Sequence, residues 1–262
     1  MLQLIDTHCH LAHGRLRQQV AAVLERARAA GLVACVCASG DLRESWEGLA
    51  LSREHAQVFF TAGVHPHEAK NVGEGYVSAL EQLAAETKNV GVGEIGLDYH
   101  YDFSPRAAQQ RVFAEQLALA ARLGKVVVVH TREAFADTMA ILKASGVDGG
   151  RVVFHSFTEG PAEARAVLDF GATVSFSGIV TFKQADLLRQ SAAIVPDDRI
   201  LVETDAPYLS PEPVRKMKTN EPANVAHVAA CLAAIRGVPA EQFARITSAN
   251  AARFFGLDFP VP

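Results

Sequence analysis

Short apolar runs rich in β-branched residues recur along the chain, and polar residues bound each of them. The run Val126–Val129 is continuously apolar, as expected for a parallel strand that is buried on both faces. Eight such runs begin 21 to 36 residues apart, a spacing that suits alternating strand and helix units. We predict strands at Gln3–His8, Leu32–Ser39, Val58–His65, Val90–Leu97, Val126–Thr131, Arg151–Phe157, Ala172–Gly178 and Ile200–Asp205.

The segments between these strands have the period of helices. Gly31 follows the first segment and Gly124 the fourth, and glycine is typical of a helix end. In the fourth unit, Ser104 and Pro105 predict an N-cap residue and a first-turn proline. The apolar positions of the first segment follow the spacing i, i+4, i+7, i+8 and i+11, with Leu16, Val20, Val23, Leu24 and Ala27.

Eight consecutive strand–helix units predict an α/β protein with a (β/α)₈ TIM-type barrel. A chain of 262 residues is normal for a single barrel of this kind, so we predict one domain spanning residues 1–262. An open doubly wound sheet would carry a glycine-rich phosphate-binding turn after its first strand, and no such turn follows His8. The segment from Pro239 to Gly256 predicts an extra helix on the outside of the barrel.

Composition and charge narrow the class of protein. Apolar residues make up 49% of the chain and charged residues 21%, which is typical of a globular protein. The formal net charge of -4 argues against a surface coated in basic charge. A nucleic acid would therefore bind a local basic patch, or metal ions that meet its phosphates.

The N-terminus and the cysteines suggest a compartment. No signal peptide is visible, because Leu2, Leu4 and Ile5 lead directly into Asp6. No apolar run reaches the length of about 18 residues that a membrane span needs. The four cysteines form no Cys-x-x-Cys pair, which suits a reducing environment. We expect a soluble, cytoplasmic protein with no membrane partner, as a monomer or small homo-oligomer.

Six side chains of the kinds that bind metals lie at or near the carboxyl ends of predicted strands one, four, five, six and eight. In a barrel, the carboxyl ends of all strands meet at one face, where active sites are built. Any one buried histidine is more often structural, but matching positions on several strands favour a shared site. The six residues are His8, His10, Glu94, His130, His155 and Asp205.

Position on the strands and the cost of burial support this grouping. His8 and His10 are two residues apart in a strand and so point to the same face, with Asp6 below them. Glu94 lies in an otherwise uncharged strand, where an unpaired carboxylate would be costly, so a metal or a cationic partner is needed. Asp205 repeats this argument, and Glu203 shares its face. Glu203 either orients a metal ligand or forms a buried ion pair.

The set of ligands indicates the metals. Four imidazoles and two carboxylates suit Zn²⁺, Mn²⁺, Fe²⁺ or Co²⁺, and fit less well with Mg²⁺, which prefers oxygen ligands. Six ligands are too many for one tetrahedral zinc ion with an open position. They suit two divalent ions about 3.5–4 Å apart that share a bridging carboxylate.

A series of motifs in one order identifies a family that the chain resembles. The chain is similar from end to end to the TatD family of metal-dependent deoxyribonucleases, within the wider amidohydrolase-like barrels. The resemblance rests on Asp6-Thr7-His8-Cys9-His10, Gly63-Val64-His65-Pro66-His67, Gly93-Glu94-Ile95-Gly96-Leu97-Asp98-Tyr99, His130-Thr131-Arg132-Glu133-Ala134, His155-Ser156-Phe157, Ser175-Phe176-Ser177-Gly178, Glu203-Thr204-Asp205-Ala206-Pro207-Tyr208, Asn220-Glu221-Pro222 and Thr247-Ser248-Ala249-Asn250.

The resemblance implies a (β/α)₈ barrel with a divalent metal centre that hydrolyses phosphodiesters, typically as a 3′→5′ exonuclease on DNA. It implies that Glu94 bridges two ions. One ion would be held by His8, His10, Glu94 and Asp205, and the other by Glu94, His130 and His155.

Three residues receive predicted catalytic roles. Glu94 bridges the two ions, and Asp205 orients the attacking water or takes its proton. His65 either hydrogen-bonds the scissile phosphate, protonates the leaving oxygen, or is a structural turn residue. His67 is expected to be exposed.

Five residues are predicted substrate contacts. Arg132 shares a strand face with His130 and would contact phosphate, with a salt bridge to Glu133 as the alternative. Asp98 and Tyr99 are predicted to line the pocket wall. Arg215 and Lys218 lie with Lys216 in the loop after strand eight. These three cations either contact a nucleic-acid backbone or form solvated surface.

Two rival functions stay open at this point. The ligand chemistry also suits a metal-dependent amidohydrolase or esterase that acts on a small metabolite. A binding or scaffold barrel that keeps its metals for structural reasons is a third possibility, which the complete ligand set disfavours. The native metal, and the choice between DNA, RNA and a small phosphodiester, are not determined by the sequence.

Overall fold

The computed structural model describes residues 2–257 as a (β/α)₈ barrel, which confirms the predicted fold class. Residues 1 and 258–262 of the predicted domain lie outside the described residues. Eight parallel strands are hydrogen-bonded in the order of the sequence, from β1 to β8. They are Leu4–Cys9, Leu32–Cys37, Val58–Ala62, Asn89–Asp98, Val127–Arg132, Val152–Phe154, Thr173–Phe176 and Ile200–Val202.

Backbone hydrogen bonds between the segment after β8 and strand β1 close the barrel. The amide of Asp205 donates to the carbonyl of His8 at 2.9 Å, and the amide of His10 donates to the carbonyl of Ala206 at 2.6 Å. The carboxylate of Asp6 accepts from the amide of Thr204 at 2.9 Å and from its hydroxyl at 2.5 Å. Burial raises the pKa of Asp6 to about 8. Asp6 therefore joins the first strand to the last and contributes no atom to the candidate metal groups described below.

Nine α-helices are described, and short 3-10 helices precede or follow several of them. The helix predicted after Pro239 is confirmed as α9, which packs on β1, β8 and α8. The helices α1 to α9 are Val20–Ala29, Leu42–Glu54, Tyr76–Ala84, Arg106–Leu123, Phe135–Ser145, Pro161–Asp169, Asp186–Ile194, Val225–Arg236 and Ala240–Phe255. The 3-10 helices are Arg17–Gln19, Pro66–Asn71, Gly149–Arg151, Gly178–Thr181, Asp197–Arg199 and Pro222–Asn224.

The start of α4 differs from the prediction, whereas its end agrees with it. The predicted N-cap at Ser104 is wrong, because the helix begins at Arg106 after Pro105 and has no side-chain cap. The hydroxyl of Ser104 instead donates to the carbonyl of His67 at 2.7 Å. Gly124 ends the helix in a left-handed conformation, as predicted.

Strands β6 and β8 are shorter than predicted. β6 ends at Phe154 and β8 at Val202, so that His155 and Asp205 lie on the segments that leave these strands. The backbone turns there, with a φ of 41° at Ser156 and of 54° at Asp205. These residues thus stay at the carboxyl face of the barrel although they lie outside the regular sheet.

Apolar side chains fill two layers that hold the strands in place. The larger layer lies between the strands and the surrounding helices and includes Phe60, Phe154 and Phe176. A smaller cluster joins residues of several strands, among them Ile5 and Val128, to α9 and the residues after it, so it closes the end of the barrel away from the ligands.

Within residues 2–257, no single helix has the length and apolar character needed to cross a membrane. The segment Pro222–Arg236 together with α9 meets that requirement as a bent pair, by length and composition only.

Candidate metal centre

Glu94 lies at the centre of a cluster formed by the six predicted ligands. Its strand, β4, runs from Asn89 to Asp98, and its side chain is buried. The two carboxylate oxygens of Glu94 face two different groups of imidazoles. One group lies toward β1 and β8, and the other toward β5 and β6.

The first group consists of His8, His10 and Asp205 around the Oε2 atom of Glu94. This oxygen lies 3.3 Å from the Nε2 atom of His8 and 3.6 Å from that of His10. The two Nε2 atoms are 3.2 Å apart, so both rings point to the same side as predicted. The Oδ1 atom of Asp205 lies 3.4 Å from the Nε2 atom of His10 and completes the group.

The second group surrounds the Oε1 atom of Glu94. This oxygen lies 2.7 Å from the Nε2 atom of His155, 2.9 Å from the Nδ1 atom of His130 and 3.4 Å from the Nε2 atom of His65. The ring of His155 also stacks on that of His8 at 3.9 Å between centroids, which joins the two groups. All six predicted ligands are therefore brought together, and His65 joins them.

Carboxylates behind two of the histidines select the form of the ring that binds metals. The Nδ1 atom of His155 lies 3.1 Å from Glu203, and the Nε2 atom of His130 lies 3.2 Å from Asp98. Each carboxylate accepts the N–H on that side, so that in the neutral ring the nitrogen facing Glu94 carries the lone pair that a metal ion would use.

His65 has the opposite arrangement. The amide of His67 donates to the Nδ1 atom of His65 at 3.1 Å, so the proton of the neutral ring is on Nε2. That Nε2 atom faces Glu94 and the cleft. Burial lowers the pKa of His65 to about 4. His65 therefore presents an N–H donor, which separates it from the histidines that present lone pairs.

A close approach of β4 to β5 brings Glu94 next to His130. Gly96 has a φ of 145°, and a Cβ atom at this position would lie 1.9 Å from the carbonyl oxygen of His130. Only glycine fits both the conformation and the space. The two strands can then pair at Gly96 and His130, which places the ring of His130 beside the carboxylate.

The surrounding imidazoles keep the carboxylates of Glu94 and Asp205 ionised. Burial alone would raise the pKa of Glu94, but His155, His65 and His130 outweigh it and hold the pKa well below its usual range. Burial likewise opposes ionisation of Asp205, but its contacts with the histidines lower its pKa. For His155, the nearby carboxylates outweigh burial and raise the pKa well above the usual value. Two anions thus lie in a buried site where imidazole N–H groups hold their charge, and a divalent ion could take the place of those protons.

This set of ligands fits divalent metal ions. Subsets of three residues place their ligand atoms within 4.8 Å of one another, among them His8, His10 and Glu94. Neutral imidazoles and carboxylates are ligands for Zn²⁺, Mn²⁺, Fe²⁺ and Co²⁺. The Nδ1 atom of His8 is buried without a hydrogen-bond partner in the described chain, so stacking on His155 orients that ring.

A cleft of about 880 Å³ opens above the cluster. Arg132 is exposed at its wall, and the neighbouring Glu133 is paired with His100 at 2.7 Å instead. Tyr99 does not line the cleft, because its hydroxyl donates to Asp137 at 2.8 Å on the outer side of the barrel. The cleft lining also includes His67 and Tyr208, which belong to the quoted motifs, and Tyr101 and Phe103, for which the sequence pattern carries no signal.

Asp98 is buried at the wall of the cleft and contacts two histidines. Its Oδ2 atom lies 2.9 Å from His67 and 3.2 Å from His130. Burial opposes its ionisation, but the hydrogen bonds from His130 and His67 hold its pKa well below the usual range. The predicted exposure of His67 is therefore only partly met, since its ring is tied to Asp98 and its side chain is 25% exposed.

The predicted basic contacts after β8 lie beside the cleft. Arg215 lines a neighbouring cavity of about 480 Å³, which shares Thr158 and Ile179 with the cleft. Its guanidinium lies over the ring of Phe182 at 4.0 Å. Lys218 is exposed on the same loop. Arg215 thus borders a cavity beside the cleft, and none of the six predicted metal ligands lines that cavity.

The chain is similar to known proteins over almost its whole length. The family model of the TatD-related DNases matches residues 5–256. The uncharacterized metal-dependent hydrolase YcfH of Escherichia coli K12 is 42% identical over 97% of this chain and 96% of its own length. The 3′-5′ ssDNA/RNA exonuclease TatD of Klebsiella pneumoniae strain 342 is 34% identical over 97% of this chain and 98% of its own length.

Solved structures support the same relationship. The crystal structure of YJJV, a TatD homolog from Escherichia coli K12, superposes with a TM-score of 0.91. Its sequence is 28% identical, and the match covers 97% of this chain and 98% of that one.

Proposed function

This chain belongs to the family of TatD-related DNases, a family of metal-dependent hydrolases, and on that premise we propose that it hydrolyses phosphodiester bonds in DNA. The proposed direction is 3′→5′ from a strand end, in line with the name of the Klebsiella relative, a 3′-5′ ssDNA/RNA exonuclease. Two divalent ions are the proposed cofactors.

The observation that carries this proposal is the division of Glu94 between two groups of ligands. Its Oε2 atom faces His8 and His10, whereas its Oε1 atom faces His130 and His155. A carboxylate shared in this way suits two ions held close together, the arrangement used for in-line displacement at phosphorus. When bound, such ions neutralise charge on phosphoryl oxygens and make water more acidic.

The remaining steps rest on side chains at the cleft. Asp205 would accept a hydrogen bond from the attacking water and orient it toward phosphorus, because its carboxylate is at the edge of the first group. His65 would donate its Nε2–H to a phosphoryl or leaving oxygen, since its other nitrogen already accepts from His67. Arg132 would bind a phosphate of the same strand through its exposed guanidinium.

Digestion of labelled oligonucleotides tests the proposal. Protein stripped by a chelator is reloaded separately with Zn²⁺, Mn²⁺, Fe²⁺, Co²⁺ or Mg²⁺ and given single-stranded DNA labelled at the 5′ end. We expect no cleavage without metal and, with metal, labelled products that shorten by one nucleotide at a time.

A parallel panel of RNA, small phosphodiesters, esters and cyclic amides tests the rival functions. Turnover of an amide or ester with intact oligonucleotides would replace the proposal with a metal-dependent amidohydrolase or esterase. Stoichiometric metal without turnover of any substrate would instead support a non-catalytic barrel.

A further inference from the structure

Two aromatic side chains are stacked at the wall of the cleft and stay half exposed. The rings of Tyr101 and Phe103 are 5.1 Å apart and nearly parallel, with 16° between their planes. Tyr101 is 48% exposed and Phe103 is 54% exposed, and both line the cleft. We refer to these two residues as the aromatic pair. Single exposed aromatics are common on proteins, but two stacked, half-exposed rings leave apolar surface in a cleft lined mostly by polar side chains, beside the candidate metal ligands.

The aromatic pair is close to the candidate metal centre. The ring of His67 lies edge-on to Phe103 at 4.8 Å and to Tyr101 at 5.6 Å. The ring of His67 is in turn 4.3 Å from that of His65, whose Nε2 atom faces Glu94. The imidazole of His67 therefore lies between the aromatic pair and His65, the N–H donor of the site.

A cation accompanies the aromatic surface. The guanidinium of Arg132 lies 4.7 Å from the ring centroid of Tyr101. Arg132 is the last residue of β5, two positions after His130. The wall of the cleft thus combines half-exposed aromatic rings with a positive group that lies over Tyr101, and a nucleotide has a matching aromatic base and anionic phosphate.

Hydrogen bonds fix the backbone on both sides of the aromatic pair. The Oδ1 atom of Asp98 accepts from the amides of His100 and Tyr101, both at 3.0 Å. On the other side of Phe103, the hydroxyl of Ser104 donates to the carbonyl of His67, and Gln109 donates to the carbonyl of Ser104 at 2.9 Å. A surface held in place before binding loses little conformational entropy when a ligand stacks on it.

We propose that the aromatic pair binds a nucleobase of the nucleotide next to the scissile phosphodiester, with Arg132 on the phosphate of that strand. This inference rests on the proposed function and adds the means by which the strand is positioned. A base that stacks on the pair has to leave its own helix stack. The pair therefore favours single-stranded or frayed ends over fully paired DNA, and it tolerates all four bases because each presents a flat face.

Removal of the two rings and removal of the base form a matched test. Tyr101→Ala/Phe103→Ala and wild type are compared on a single-stranded oligonucleotide and on one whose last two positions carry abasic tetrahydrofuran residues. We expect kcat/KM of the double variant to fall by about 5- to 150-fold on the normal strand, since one stacked base contributes about 1–3 kcal/mol. The base-free strand should be cleaved equally by both proteins.

Two further variants control for loss of structure. Tyr101→Phe/Phe103→Tyr keeps two stacked rings, so its kcat/KM on the normal strand should fall far less than that of the double alanine variant. Trp46→Ala removes a ring that is 45% exposed on α2 and does not line the cleft, so it should leave kcat/KM unchanged. An equal fall on both oligonucleotides, or no fall on the normal one, overturns the inference.

Binding measurements distinguish a failure of this inference from a failure of the proposed function. The same strands are titrated by fluorescence anisotropy against Asp205→Asn and against Asp205→Asn with both rings removed. If the wild type cleaves no oligonucleotide, the proposed function fails. Weaker binding of only the normal strand on loss of the rings would still support the aromatic pair as a base-binding surface, and unchanged binding would refute it.

Discussion

The Nδ1 atom of His155 lies 3.1 Å from the Oε1 atom of Glu203, while its Nε2 atom lies 2.7 Å from Glu94. Glu203 is fully buried and also accepts from the amide of Ser156 at 2.8 Å and from the hydroxyl of Ser175. Of the two alternatives for Glu203, these contacts favour the one in which it orients a ligand. In the neutral form of His155, the imidazole is therefore held with its lone pair toward Glu94.

Replacement of Glu203 should therefore weaken metal binding without removing a ligand. We predict that Glu203→Ala lowers metal affinity by up to about 100-fold and that Glu203→Gln lowers it by about 10-fold, because the amide oxygen can still accept from His155. Competition with a chromophoric chelator measures both. A Ser175→Ala control removes one donor to Glu203 and should have a smaller effect. Wild-type affinity in Glu203→Ala would contradict this role.

Asp98 should act through His130. In Asp98→Asn, the side-chain oxygen stays with the amides of His100 and Tyr101, so the NH2 group faces His130 and His67. His130 must then accept on its Nε2 atom and carry its proton on Nδ1, the metal side. We predict a fall in metal affinity of about 10- to 100-fold. Asp137→Asn, which changes the partner of Tyr99 on the outer side, is the matched control and should bind metal normally. Equal affinities in the two variants would rule out the positioning role of Asp98.

Glu94, proposed to bridge the two ions, and Asp205, proposed to orient the water, should be needed for turnover but not for folding. We predict that Asp205→Asn lowers kcat by about 10²–10⁴-fold, the usual range for loss of a group that handles a proton. Glu94→Ala should lower it further, since both groups of ligands share this residue. Circular dichroism and thermal unfolding should show a retained fold in both variants. Turnover at the wild-type rate in either one would remove that residue from the mechanism.

Gly96 should be sensitive to the addition of a single methyl group. We predict that Gly96→Ala lowers the free energy of unfolding by about 3 kcal/mol or more, because both the φ of 145° and the carbonyl of His130 oppose a Cβ atom. Gly14→Ala is the control, since nothing lies within 4 Å of a Cβ there, and it should change stability by less than about 0.5 kcal/mol. Urea denaturation compares the two, and similar midpoints would disprove the close-packing argument.

The basic loop after β8 should contribute salt-dependent binding. We predict that replacing Arg215, Lys216 and Lys218 by Ala reduces the magnitude of the negative slope of log K against log salt by about 2 for single-stranded DNA, because each phosphate contact contributes about 0.7 to it. Binding is measured with Asp205→Asn to prevent cleavage. The control variant replaces three exposed cations on helices, Arg28, Lys143 and Arg245. An unchanged slope in the loop variant would show that these cations are only solvated surface.

The sequence alone determined the barrel and the candidates for the metal ligands. Apolar runs such as Val126–Val129 and the helical period between them follow from local burial, which needs no knowledge of how strands meet. Likewise, the cost of burying Glu94 in an apolar strand indicates a cation before any distance is known. Both arguments depend on residues close together along the chain.

Only the tertiary structure decided how the site is divided and supported. The two oxygens of Glu94 face different groups, and Asp98 contacts His130 from 32 positions away along the chain. Tyr101 and Phe103 lie in a loop, where no periodic pattern marks which side chain faces a cleft. Such relations depend on the stagger of neighbouring strands and on the path of the loops between them. These are set by long-range packing, so the sequence pattern does not contain them.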